Sequence, residues 1–244
     1  MTPSKHKSIP QLPFDFTLKE SGSFASFYPG RNQLLVDLLL NMSAASGEQQ
    51  LFLWSAGAHG KTHLLQALCR AVGRQPAGIA SQTVYLPMNM IADLAPAMLE
   101  GLDNLHLIVV DDCHLITTAQ QPKQWETSLF DLINRCRESG CKLVLSANAA
   151  PSDLGFSLAD LVSRLSWGPV FQLQALDDDE KVSALSLRAS VRGFELSEEV
   201  GRYLVQRFSR EQKSQFDLLD QLDSATLAAK RKLTIPFIKS VTDS

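Results

Sequence analysis

The sequence predicts an α/β protein, a parallel sheet sandwiched by helices with a smaller all-helical part after it. Three observations predict this. Short apolar, β-prone runs alternate with amphipathic stretches between residues 51 and 173. A glycine-containing turn ending in Gly60-Lys61-Thr62 joins the first such run to a helical stretch. Beyond Leu176 the strand-like runs cease and only helical periodicity continues.

The chain has 244 residues, a length for one or two domains. Hydrophobic residues make up 45%, enough to bury a real core. With 23 positive and 26 negative side chains, the balance argues against a surface built to coat nucleic acid, while leaving room for a local basic patch. No apolar run approaches the roughly 18 residues of a bilayer span, and nothing of signal-peptide length follows Lys7. A soluble, cytoplasmic protein away from membranes is expected. Cys69, Cys113, Cys136 and Cys141 form neither a C-x-x-C pair nor a zinc spacing with histidine. They read as small buried hydrophobes in a reducing compartment.

The elements follow in order. Residues 1–23 are polar and broken by Pro3, Pro10, Pro13 and Gly22, which predicts a flexible tail. It carries one apolar knot, Gln11-Leu12-Pro13-Phe14-Asp15-Phe16. From Phe24 the pattern becomes globular. A helix is predicted over 32–45, with Leu34, Leu35, Leu38 and Leu39 on one side. Strands are predicted at 51–54, 83–86, 107–110, 142–145 and 170–173. Between them the pattern predicts helices at 63–74, 90–99 and 125–138, the last stopped by Gly140. Four acids at 177–180 suit a helix N-terminus. Helices are then predicted over 178–192, 197–209 and 211–230, with Ser197 as a start signal and Pro236 opening a last short helix. The expected division is a tail (1–23), an α/β nucleotide-binding part (24–176) and a helical lid (177–244).

The strongest chemical signal is Ser55-Ala56-Gly57-Ala58-His59-Gly60-Lys61-Thr62. It satisfies G-x-x-x-x-G-K-[ST] except that Ser55 replaces the first glycine. Glycines let backbone N–H groups turn toward phosphate oxygens, and the helix behind aims its positive end at them. Lys61 supplies a cation for the β- and γ-phosphates and Thr62 an oxygen for Mg²⁺. The alternative is an ordinary strand–turn–helix junction. The strand at 107–110 ends in Asp111-Asp112, which a parallel sheet delivers to the same crevice. Asp111 can hold the Mg²⁺ shell and Asp112 can orient or deprotonate a water. Asn148 either bonds the γ-phosphate or the attacking water, or only makes the turn before Pro151. Arg164, in Ser163-Arg164-Leu165-Ser166-Trp167-Gly168, either reaches a phosphate or is a surface residue.

Together, Gly57 to His63, Asp111-Asp112 and Arg164 resemble the AAA+ ATPase module of the bacterial replication initiator DnaA. Phe24 to Asn32 is similar to the stretch that packs on adenine in that family. The segments 165–168, 188–196 and 231–237 resemble its Hda branch most closely. The resemblance implies an AAA+ P-loop NTPase fold and an adenine nucleotide, ADP or ATP, with Mg²⁺; other nucleoside diphosphates stay open. It implies nucleotide contacts from Tyr28, Gly30, Asn32, Gly57, Ala58, His59, Gly60, Lys61, Thr62 and His63. Lys213 stands where the family's second sensor has arginine.

The implied partners are DnaA and the β subunit sliding clamp of DNA polymerase III, with homo-oligomerisation open. Gln11, Leu12, Phe14 and Phe16 resemble a clamp-binding peptide, although Phe14 and Phe16 can instead fold back on the domain. Arg164 falls on the family's arginine finger, acting in trans on DnaA-bound ATP. The implied role is negative regulation of replication initiation. The alternative is an autonomous P-loop ATPase of helicase-loader type. Ser55, Ala58, His59, Asp112 and Lys213 depart from the family pattern and predict weak turnover by the chain itself. With no DnaA-like helix-turn-helix segment before Ser244, no sequence-specific DNA binding is expected.

Overall fold

A computed structural model describes residues 22–43, 47–74, 82–208 and 234–242. The apolar knot at 11–16, the helix predicted over 211–230 and Lys213 lie outside the described residues.

The centre is a five-stranded sheet built from β1 (Gln50–Trp54), β2 (Thr83–Pro87), β3 (Leu107–Asp111), β4 (Lys142–Ala147) and β5 (Val170–Gln172). The order is β2-β3-β4-β1-β5, and every pairing is parallel. Alternate side chains point to opposite faces. Phe52, Ile108, Val110, Leu143 and Leu145 enter one core; Leu51, Leu53, Leu107, Val109 and Val144 enter the other. In β1, β3 and β4, burial on both faces explains the largely apolar runs.

Helices α1 (Gln33–Ser43) and α2 (Lys61–Gly73) cover one face through Leu35, Leu39, Met42, Leu64, Leu65 and Leu68. Beyond β2 a short helix, α3 (Met88–Ile91), leads into the loop before β3. Helix α4 (Pro122–Ser139) covers the other face through Trp125, Leu129, Leu132, Ile133 and Cys136. Trp125 is fully buried, and its indole N–H donates to Ala92 O at 3.0 Å. Helix α5 (Ala159–Leu165) follows before β5.

The helical part has its own core of Val182, Leu185, Ala189, Leu196, Val200, Leu204 and Ile238. It comprises α6 (Asp178–Val191), α7 (Glu198–Arg207) and α8 (Ile235–Thr242). A capping box opens α6: Glu180 N donates to Asp177 and Asp177 N donates to Glu180, each at 2.9 Å. Ser197 caps α7 through the amide of Val200.

Three element expectations need correction. The helix predicted over 90–99 is only α3 and a 3-10 turn at Pro96–Leu99. Pro96 forces Ala95 into an extended conformation, which a continuous helix cannot contain. Helix α2 begins at Lys61 rather than His63, because Gly60 adopts a left-handed φ of 102° and lets the helix start at once. Helix α4 begins three residues early, at Pro122, whose missing N–H is harmless in a first turn. All four cysteines are free and buried. Among the described residues no helix is long and apolar enough to cross a membrane.

Candidate functional site

Parallel strands bring their C-terminal ends to one edge of the sheet. Here β1 delivers Ser55, β3 delivers Asp111 and Asp112, and β4 delivers Ser146. The loop from Ser55 to Gly60 then turns into α2. A Cβ on Gly60 would lie 3.0 Å from the Phe27 ring, so glycine serves both the turn and the close approach. A Cβ on Gly57 would lie 2.8 Å from His59 Nε2. The His59 ring therefore folds over Gly57, and its Nδ1 sits 3.4 Å from Leu173 O.

Lys61 curls back into its own loop. Its Nζ donates to Ser55 O (3.0 Å), Ser55 Oγ (3.2 Å) and Gly57 O (3.3 Å). Burial pushes its ammonium below the ordinary lysine value, while Asp112 and Asp111 hold it up. The ammonium thus waits inside the ring of backbone that an anion would enter.

Asp111 is buried, at 4% exposure, and its carboxylate accepts from three hydroxyls. Thr62 Oγ1 donates at 2.7 Å, and Tyr85 Oη and Ser146 Oγ also donate. Burial and the neighbouring Asp111 charge push the Tyr85 phenol far above its ordinary value, so it remains a donor. Asp112 has φ 57°, the one positive φ at a non-glycine position among the described residues. Its amide donates to Ser146 Oγ at 2.8 Å, which holds this sparsely populated conformation in place. Burial, and then the Asp111 charge, push the Asp112 carboxyl above its ordinary value. His114 Nδ1 lies 3.9 Å from Asp112 Oδ1 and makes no hydrogen bond.

A magnesium ion fits this donor set. One threonine hydroxyl, one or two carboxylates and incoming phosphate oxygens are what Mg²⁺ takes. No group of three His, Cys, Asp or Glu able to hold a metal exists among the described residues, so such an ion would depend on the nucleotide's phosphates.

The opening segment is tied to the rest of the fold at several points. Asn32 is buried, and its amide donates to Gln174 O (3.1 Å) and accepts from Gln174 N (2.8 Å). Both ends of that amide are occupied by backbone, so Asn32 ties the segment to the chain leaving β5. A Cβ on Gly30 would meet Glu180 Oε1 at 2.9 Å. Arg31 pairs with Asp177 at 3.2 Å. His63 Nε2 lies 2.9 Å from Ser23 O, and its ring stands 5.6 Å from that of Phe27. Gly30, Asn32 and His63 therefore join the opening segment to the two parts of the fold. Tyr28 is half-buried beside them.

Asn148 is exposed, one residue past the end of β4. The polar residue that β4 presents to the carboxylates is Ser146. The readable signal was a serine near the end of a buried strand that is otherwise apolar after Lys142. Tyr85 carried no such signal.

Arg164 stands at the other end of the sheet. Gln50, the first residue of β1, donates through Nε2 to Arg164 O (2.8 Å) and Leu165 O (3.3 Å). The phosphate-type loop begins at the opposite end of β1, on the order of 17 Å away at strand rise. The Arg164 guanidinium carbon lies 3.7 Å from the Trp167 ring centroid and 5.6 Å from that of Phe130.

This fold is shared with known proteins. Domain III of the Thermotoga maritima replication initiation protein DnaA superposes with a TM-score of 0.75 at 22% identity, over 92% of this chain and 96% of that one. AMPPCP-bound DnaA from Aquifex aeolicus gives 0.64 at 18% identity, over 83% of this chain and 66% of that one. The Thermotoga maritima RuvB Holliday junction branch migration motor gives 0.61 at 13%, over 87% of this chain and 67% of that one. At these identities the likeness establishes the AAA+ fold. Residues 178–242 match the family of the Hda lid domain, and residues 18–172, well over half the chain, match the bacterial DnaA ATPase domain. The chain belongs to the bacterial DnaA ATPase-domain family and is a Hda/DnaA-related AAA+ protein.

Proposed function

We propose that this chain is a nucleotide-holding, cytoplasmic regulator that restrains replication initiation. Docked on the DNA-loaded sliding clamp, it stimulates hydrolysis of the ATP bound to DnaA by lending Arg164 in trans. In this reading residues 1–23 are a tail that engages the clamp through Gln11, Leu12, Phe14 and Phe16. Residues 24–176 hold the nucleotide and 177–244 form the lid. The chain's own nucleotide, ADP or another diphosphate, is a conformational ligand.

One observation carries the proposal. Arg164 makes no ion pair among the described residues, is held by aromatic rings, and sits at the end of β1 opposite its own loop. A cation so placed suits a neighbour's nucleotide. Its fork of N–H donors stabilises charge on departing γ-phosphoryl oxygens, an effect worth roughly 10³ to 10⁵ in rate when supplied in trans.

On the chain's own side, the loop amides and Lys61 receive the diphosphate in this reading. Thr62 and Asp111 hold Mg²⁺, which neutralises phosphate charge when bound. Asp112 is one methylene shorter than the glutamate usual at a catalytic base, in keeping with weak turnover.

The test is a reconstituted assay of DnaA-bound ATP with clamp-loaded DNA and the full chain. Arg164→Ala should abolish stimulation and leave clamp association intact. Replacing Gln11 and Leu12 with alanine should abolish both. Undiminished hydrolysis with Arg164→Ala would end the arginine-finger reading. Strong steady-state turnover by the chain alone would favour an autonomous ATPase.

A further inference from the structure

The Ser-Arg-Leu-Ser-Trp-Gly segment contains a second chemically conspicuous residue. Trp167 is exposed at 37%, unusual for a large aromatic ring with a free edge to solvent. Two guanidinium groups lie on it: Arg164 Cζ at 3.7 Å and Arg137 Cζ at 4.1 Å from the ring centroid. Neither arginine makes an ion pair among the described residues, although Asp160 stands one helical turn ahead of Arg164 and Glu138 adjoins Arg137.

The way a cation is held decides what it can still do. A carboxylate partner occupies the N–H donors at the edge of a guanidinium. A ring partner attracts through its π face and leaves all five donors pointing outward. The backbone beneath is also fixed. Gln50 Nε2 caps the last carbonyls of α5, and Trp167 N donates to Arg164 O at 3.1 Å. Gly168 packs so closely on Gln50 that a Cβ would come within 2.1 Å of its carbonyl oxygen. Side chain and backbone thus hold Arg164 in one place before any partner arrives.

We propose that Trp167 is the positioning residue of the trans arginine: it holds the Arg164 guanidinium by its face, so that its donor edge meets the polyphosphate of a nucleotide on a neighbouring AAA+ molecule. This rests on the reading of Arg164 given above. Trp167 acts through Arg164 and touches no substrate itself. Its loss therefore lowers the rate of the step at saturation and leaves the recognition of the neighbour unchanged.

The experiment measures hydrolysis of ATP pre-bound to DnaA, with clamp-loaded DNA and increasing full-length chain. It compares the parent with Trp167→Leu, Trp167→Phe and Arg164→Ala. Leucine keeps an apolar side chain without a π face; phenylalanine keeps a face. Trp167→Leu should lower the maximal rate about tenfold, with Trp167→Phe within about threefold of the parent. The half-saturating concentration should stay within about twofold of the parent's in both variants, the mark of a contact made only in the transition state. Thermal unfolding of each variant establishes that it is folded, and a parental rate with Trp167→Leu overturns the proposal. So does a Trp167→Phe variant as slow as leucine, or a loss that appears only in the half-saturating concentration. An Arg164→Ala protein with undiminished activity instead removes the underlying reading, so the two failures are distinguishable.

Discussion

Lys61→Ala tests the loop as a phosphate cradle. In the structure the ammonium is buried and donates to three loop oxygens between 3.0 and 3.3 Å away. An incoming diphosphate offers it charged acceptors instead. A hydrogen bond to a charged group contributes about 1.5–3 kcal/mol, so its loss raises Kd about 10- to 150-fold. With ADP at a hundred times the parental Kd, ligand binding stabilises the parent by about 2.7 kcal/mol. For a chain of this size that lifts Tm by about 5–11 °C. At the same ADP concentration the variant should keep about half of that rise or less. The assay is thermal unfolding with and without ADP. Any change in the unliganded stability cancels, because each protein is compared with itself. A Lys61→Ala protein with the full parental ADP shift would refute the cradle.

Two further outcomes follow from the geometry. The folded Asp112 carboxyl titrates above its unfolded value near 3.8, pushed up by burial and by the Asp111 charge. The native state therefore holds a proton where the unfolded chain has lost it, and stability from this group falls as pH rises from about 4 through the raised value. Asp112→Asn, which also tolerates the left-handed φ, should melt above the parent at pH 7, and the gap should close toward pH 4. An equal gap at both pH values would count against it. Gly168→Ala places a Cβ 2.1 Å from the Gln50 carbonyl oxygen, a backbone atom that cannot swing away. It should destabilise by about 3 kcal/mol or more, readable as a Tm lower by at least about 6 °C.

The centre of the sheet was legible because burial on both faces keeps its strands largely apolar, as in Leu107–Val110. The phosphate-type loop was legible because its glycines have geometric reasons visible as spacing: Gly60 must reach φ 102° and clear Phe27. The helix over 90–99 was misread because periodicity was weighed above the veto of Pro96 on its neighbour. Asn32 illustrates a deeper limit. Its partner, the Gln174 backbone, is 142 residues away, and no local pattern points to it. Ser146 and Tyr85 reach Asp111 by the same kind of long-range meeting, since strand order alone puts β2 and β4 on either side of β3.

The sheet also keeps the loop and Arg164 apart. The loop, Thr62, Asp111 and Asp112 gather where parallel strands end, and Arg164 is anchored where β1 begins. A strand is stiff, so no side-chain rotation brings that arginine to its own loop, and closing the gap would require unfolding the sheet between them. In the proposed function, holding a nucleotide and supplying a cation to one are therefore separate capacities. The first can weaken without altering the second. In the proposed function, that separation lets the chain act on a neighbour's nucleotide whatever the rate of its own turnover.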